Sequence, residues 1–89
     1  MNSERIEVTF LHPRYSQSIA AEIGPETTAQ HCIDGLLEHG FIEPLAFHLV
    51  YRINVRSGSP IPVDATLLSC GVGNGDSVSI YIHDRGNWG

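Results

Sequence analysis

Hydrophobic positions recur along this chain with two different periods, and the change of period divides it into elements. Ile6, Val8 and Phe10 alternate with Glu7, Thr9 and Leu11, the period of a half-buried strand. His12 to Ser16 contains Pro13 and breaks the run. Ile19, Ala21 and Ile23 then alternate with Ser18, Ala20 and Glu22, so the two runs predict a hairpin. Gly24-Pro25-Glu26-Thr27 turns the chain, and the period lengthens. Ala29, Cys32, Ile33, Leu36 and Leu37 fall at i, i+3, i+4, i+7 and i+8, one stripe of a helix. Thr28 suits its N-cap, since its hydroxyl can accept from an orphan amide of the first turn. Gly40 suits the left-handed position that ends a helix. Gly35 weakens the helix interior, and its presence predicts a close approach of another backbone.

Period two returns after the crossing segment Phe41-Ile42-Glu43-Pro44-Leu45. Phe47, Leu49, Tyr51, Ile53 and Val55 point one way, and His48, Val50, Arg52, Asn54 and Arg56 the other. Ser57 to Pro60 is a turn. Ile61-Pro62-Val63 can form only a short edge strand, because Pro62 has no amide to donate. Asp64 or Thr66 can cap a single helical turn carrying Leu67 and Leu68. The Gly71 to Asp76 stretch is a permissive turn. A last strand follows, with Val78, Ile80 and Ile82 inward and Ser77, Ser79, Tyr81 and His83 outward. The order β-β-α-β-β-β predicts an α+β architecture, a sheet closed over one helix. The first and last strands are rich in β-branched residues and free of proline, which assigns them to the middle of the sheet.

Composition narrows the function. The 89 residues make one domain with a modest core. Ten acidic residues against five arginines give a net charge of −5, which argues against a phosphate-binding nucleic-acid surface. No apolar run is long enough to span a bilayer and no signal peptide opens the chain, so a soluble cytoplasmic protein is expected. Cys32 and Cys70 lie in apolar stretches and read as small buried hydrophobes rather than a disulfide. His12, His31, His39, His48 and His83 lack metal-ligand spacing. The glycines from 71 to 75 precede a strand pattern, not a helix, and no lysine follows them, so they form a turn and not a phosphate loop. No nucleophile motif links the Ser, His and Asp residues. The chain is expected to be non-catalytic, without metal or cofactor.

The stretch Thr66-Leu67-Leu68-Ser69-Cys70-Gly71-Val72-Gly73-Asn74-Gly75-Asp76-Ser77-Val78-Ser79-Ile80 resembles the ubiquitin-like β-grasp family. The helix start at Gly24-Pro25-Glu26-Thr27-Thr28 is also similar. The resemblance runs from about Ile6 to Ile82. It implies a mixed sheet of four to five strands packed on one helix, filling residues 1–84, with 85–89 as a flexible tail.

The same resemblance implies a function. Modifiers of this family typically end in Gly-Gly, which here is absent; Arg85-Gly86 is followed by Asn87-Trp88-Gly89. Three readings of the tail stay open. Gly89 is the terminus activated by E1-like and E2-like enzymes, or Gly86 is exposed by trimming, or the tail does no chemistry. The leading expectation is a prokaryotic protein modifier joined to protein targets through Gly89. The alternative is a non-conjugated binding module, similar to the small ubiquitin-like accessory proteins of type VII secretion loci. A sulfur carrier would need the missing Gly-Gly. By resemblance, the outward residues Leu11, Val50, Arg52 and Tyr81 occupy the face that carries the recognition patch in ubiquitin. A monomer is expected.

Overall fold

The computed structural model describes residues 5–85. Five strands and one α-helix follow the predicted order: β1 (Ile6–Leu11), β2 (Ser18–Ile23), α1 (Ala29–Glu38), β3 (Leu49–Asn54), β4 (Pro60–Ile61) and β5 (Ser77–Asp84), with a 3-10 turn at Leu68–Cys70 before the last. The spatial order is β2-β1-β5-β3-β4. β1 and β5 run parallel, and every other pair is antiparallel. The first and last strands therefore lie inside the sheet, and β3 lies there with them. This is the α+β class that the pattern predicts, a mixed sheet over one helix.

The helix is closed at both ends. Thr28 is its N-cap, and the Thr28 hydroxyl accepts from the His31 amide at 3.2 Å. The Ala29 and Gln30 amides donate to the carbonyls of Ala65 and Val63, at 3.0 and 2.9 Å. Those bonds tie the helix start to the segment that precedes the 3-10 turn, so its first-turn donors are spent within the fold. At the other end the Gly40 amide donates to Leu37 and the Phe41 amide to Leu36. That pair of bonds is a Schellman motif, and Gly40 supplies the left-handed residue it needs, at φ 79°.

The core lies between α1 and the inner face of the sheet. Val8, Phe10, Ile53, Leu67 and Val78 are each at most 1% exposed, joined by Ala29, Cys32, Ile33 and Leu36 of the helical stripe. Full burial of such a side chain stabilises by about 1.5–3 kcal/mol. Ile42, in the crossing segment, is buried as deeply as the strand residues.

Several expectations are corrected. Gly35 has no neighbour within 4 Å of where a Cβ would stand, so no backbone approaches it. Phe47 is not part of β3, and it is 86% exposed. The Leu49 amide turns back to the Ala46 carbonyl at 2.9 Å, which delays the strand by two residues. β4 covers Pro60–Ile61 rather than 61 to 63. Thr66, not Asp64, serves the 3-10 turn, its hydroxyl accepting from the Ser69 amide at 3.1 Å.

Candidate functional site

Alternation along three neighbouring strands builds one surface on the face opposite α1. Val8 and Phe10 of β1, Val78 and Ile80 of β5, and Tyr51 and Ile53 of β3 are buried towards the helix. Their neighbours in sequence must emerge on the far side. Strand register then decides which of these meet. Leu11 stands beside Ser79, and Ser79 beside Asn54. Tyr81 stands beside Arg52, and His83 beside Val50. Leu11, Val50, Arg52 and Tyr81 thus occupy three adjacent rows of one continuous face. Leu11 is 40% exposed, and the other three are half-buried.

Two polar atoms on this face lack a partner among the described residues. They are Arg52 Nε and Asn54 Oδ1, both shielded from solvent. One is a donor and the other an acceptor, two residues apart on β3. Leaving such a shielded group unmet costs about 1–3 kcal/mol. Sequence reasoning placed Arg52 on the face and gave Asn54 no role beyond facing outward. Nothing in the alternation reveals that neither group finds a partner across the sheet.

Phe47 adds an exposed aromatic at the end of the sheet where β5 leaves it. Its ring meets His48 edge-on at 5.6 Å, and its carbonyl accepts from the Arg85 guanidinium. The Arg85 amide donates to the His48 carbonyl at 2.9 Å, which continues the β3–β5 ladder by one pair. Period two assigned Phe47 to the core, and only the turn at Ala46 releases it. Gly86 and Gly89, the two candidate conjugation termini, lie outside the described residues.

Cys32, Tyr51 and His12 are packed into the fold. Burial pushes the Cys32 thiol up from 9.0 to about 11, so it is not a nucleophile at neutral pH. Burial also raises the Tyr51 hydroxyl, which donates a 2.6 Å hydrogen bond to the Glu43 carbonyl. His12 is half-buried. Its Nδ1 accepts from the Arg14 and Tyr15 amides, and its ring lies between Tyr15 at 4.8 Å and Phe41 at 5.2 Å. Cys32 and Cys70 are both free thiols. Among the described residues no group of three or more His, Cys, Asp or Glu is placed to hold a metal ion. No helix there is long and apolar enough to cross a membrane.

Neither a protein-family model nor a curated protein matches the chain in sequence. Solved structures do match its shape. The ubiquitin-like domain of Plasmodium falciparum Dsk2 superposes with a TM-score of 0.70 at 22% identity, covering 89% of this chain and 99% of that one. The ubiquitin of Caldiarchaeum subterraneum gives 0.69 at 17% identity, covering 93% and 99%. A chain of the MycP5-free ESX-5 inner membrane complex gives 0.71 at 15% identity, covering 97% of this chain and 23% of that one. At these identities the likeness is one of fold.

Proposed function

Because the chain has the ubiquitin-like β-grasp fold, we propose that it is a non-catalytic protein whose outer sheet face is recognised by protein partners. The observation that carries this reading is that strand register brings Leu11, Val50, Arg52 and Tyr81 into adjacent rows of one continuous face. A partner laid on that face would cover the apolar rows and meet the Arg52 side chain beside them. A small apolar patch bordered by arginine has the composition of a recognition surface. The test uses the proteins encoded beside it as titrants. Val50→Ala with Tyr81→Ala should leave the circular dichroism spectrum intact and weaken binding at least about tenfold, the loss of two central contacts. Binding unchanged by the double substitution would remove the face from the reading.

Recognition of this kind can serve a finer role, as a modifier in a prokaryotic conjugation system acting in the cytoplasm. An E1-like enzyme would join the Gly89 carboxylate to AMP from ATP, releasing pyrophosphate. The enzyme's cysteine thiolate would displace AMP to form a thioester. An E2-like cysteine would take over the acyl group. A target amine or hydroxyl would then displace that thiol. Gly89 has no side chain to clash in a narrow activation channel. The likeness to the Caldiarchaeum ubiquitin supports this role. The sequence contains no lysine, so the protein would act as a single tag rather than in lysine-linked chains of itself. Incubation with a neighbouring E1-like enzyme and ATP should yield a thiol-sensitive adduct that is lost when Asn87 to Gly89 are deleted. No adduct with any such enzyme would overturn the modifier role and leave recognition by the face untouched.

A second reading is a non-conjugated accessory of a type VII secretion locus. It is favoured by the likeness to part of a chain in the ESX-5 inner membrane complex. In that case deletion of Asn87 to Gly89 should leave function intact, whereas the Val50 and Tyr81 substitutions abolish it.

A further inference from the structure

The two edges of the sheet are treated differently by the sequence. One edge is blunted: β4 is two residues long, begins with Pro60 and is followed by Pro62. Along the neighbouring stretch of β3 the crossing segment lies close, with the Tyr51 hydroxyl on the Glu43 carbonyl. The other edge is β2, six residues, Ser-Ile-Ala-Ala-Glu-Ile, without proline and with one charged side chain. Natural sheets guard an edge of that length with prolines, bulges or charges, because its unpaired amides and carbonyls are a template for another strand.

Hydrogen-bond parity identifies the open groups. The Thr9 amide donates to Asp76, and the Glu7 carbonyl accepts from Gly75. Residues 7 and 9 of β1 therefore direct their backbone towards β5, and Ile6, Val8 and Phe10 direct theirs towards β2. Their partners are Ile23, Ala21 and Ile19. Ser18, Ala20 and Glu22 are left facing away from the sheet. Beside them, on the helix-bearing face, runs a groove of about 580 Å³ lined by Ile19, Ala21, Cys32, Gly35 and Leu36 among others.

We propose that β2 pairs with β2 of a second copy of this chain, antiparallel and about a two-fold axis at Ala20. The sequence of the strand is complementary to itself in that register. Ser18 stands opposite Glu22 of the other copy, a hydroxyl facing a carboxylate. The two Glu22 residues are separated by four positions, roughly 13 Å along the edge, so like charges do not meet. Ala20 faces Ala20 across the axis. On the helix-bearing side Ile19 meets Ala21 and Ala21 meets Ile19, large against small in both directions. Pairs at 18, 20 and 22 form about six hydrogen bonds between the copies. The two sheets join into one of ten strands with both helices on the same face, and the two grooves open into each other. One group lies across the edge and must swing aside. Arg5 reaches the Glu22 carbonyl at 3.4 Å and the Glu22 carboxylate at 3.6 Å, with both side chains more than half exposed. A contact of that length and exposure opposes the swing only weakly.

The test measures mass and amide exchange together on the full chain, from micromolar to millimolar concentration. Sedimentation equilibrium should show the 9.7 kDa chain passing to twice its mass. Over the same range the Ser18, Ala20 and Glu22 amides should become protected against hydrogen exchange, while the β1–β5 amides keep their protection. Ala20→Lys places two like charges on the axis. Ala20→Pro removes an amide that the single copy does not use. Each should raise the dissociation constant at least about tenfold and leave the far-ultraviolet spectrum unchanged. Three outcomes would overturn the proposal: a monomer at the highest concentration, a dimer in which the Ala20 amide exchanges freely, or dimerisation by Ala20→Lys equal to that of the unsubstituted chain. Protection of the same amides only by an added apolar peptide, at the mass of one chain, would assign the edge to a foreign strand and overturn self-pairing.

Discussion

Two glycines five residues apart should respond to the same substitution with opposite sign. Gly35 sits inside α1 with helical neighbours on both sides, and a Cβ there meets nothing within 4 Å. Gly35→Ala therefore introduces no clash, and its effect is the difference in helix propensity, about 0.8–1 kcal/mol in favour of alanine. For a domain of this size 1 kcal/mol corresponds to about 4–8 °C in Tm. Gly40 also has open space around its Cβ position, but its φ is 79°. Gly40→Ala must hold an L-residue in the left-handed region, which costs about 1–2 kcal/mol. The assay is urea unfolding followed by far-ultraviolet circular dichroism at low micromolar concentration. An unchanged m-value would show that each shift in midpoint is a shift in stability. The expected result is a higher midpoint for Gly35→Ala and a lower one for Gly40→Ala. Loss of stability in Gly35→Ala would mean that another group packs over position 35. The open groove between α1 and β2 would then be a wrong description of the protein in solution.

Other substitutions separate core from surface. Leu67→Ala should cost about 2–5 kcal/mol in urea unfolding, since Leu67 is fully buried although it lies outside the strands and the α-helix. Phe47→Ser should change stability by no more than about 0.5 kcal/mol, because the ring is 86% exposed; a larger loss would mean that the ring is packed. Cys32 holds its proton up to about pH 11 in the fold against 9.0 for an ordinary thiol. The folded state thus binds a proton that the unfolded chain releases, so Cys32's contribution to stability is full below pH 9 and declines as pH rises towards 11. Comparing urea midpoints of the chain and Cys32→Ala at pH 8 and 10.5 checks the sign: the decline should be smaller in the substituted protein.

The outer face shows how far local pattern carries a functional reading. Alternation alone sends Leu11, Val50, Arg52 and Tyr81 away from the helix, since successive side chains of a strand must point to opposite sides. Their adjacency depends on β1 lying beside β5 and β5 beside β3. β1 and β5 are separated by most of the chain and β3 and β5 by the β4 and 3-10 segments, and no short-range signal links either pair. The same limit hides Asn54. Its outward direction is written in the period, but its unmet carbonyl oxygen follows from what register places around it.

Phe47 and Gly35 mark where local rules gave way. Phe47 has the right period for β3, yet the Leu49 to Ala46 hydrogen bond starts the strand late and leaves the ring in solvent. Gly35 was assigned a crowded neighbour, and the helix instead carries it over an open groove. The sequence by itself determined the helix and both its ends, the hairpin, the buried stripe and the central place of the first and last strands. Each of those depends on groups within a few residues of one another, or on how β-branched side chains suit a covered strand. Tertiary structure alone decided which outward residues form one surface, which polar atoms on it stay unmet and which sheet edge stays open. Those properties belong to pairings between distant segments, where the entropy of closing long loops is offset only by the packed core as a whole.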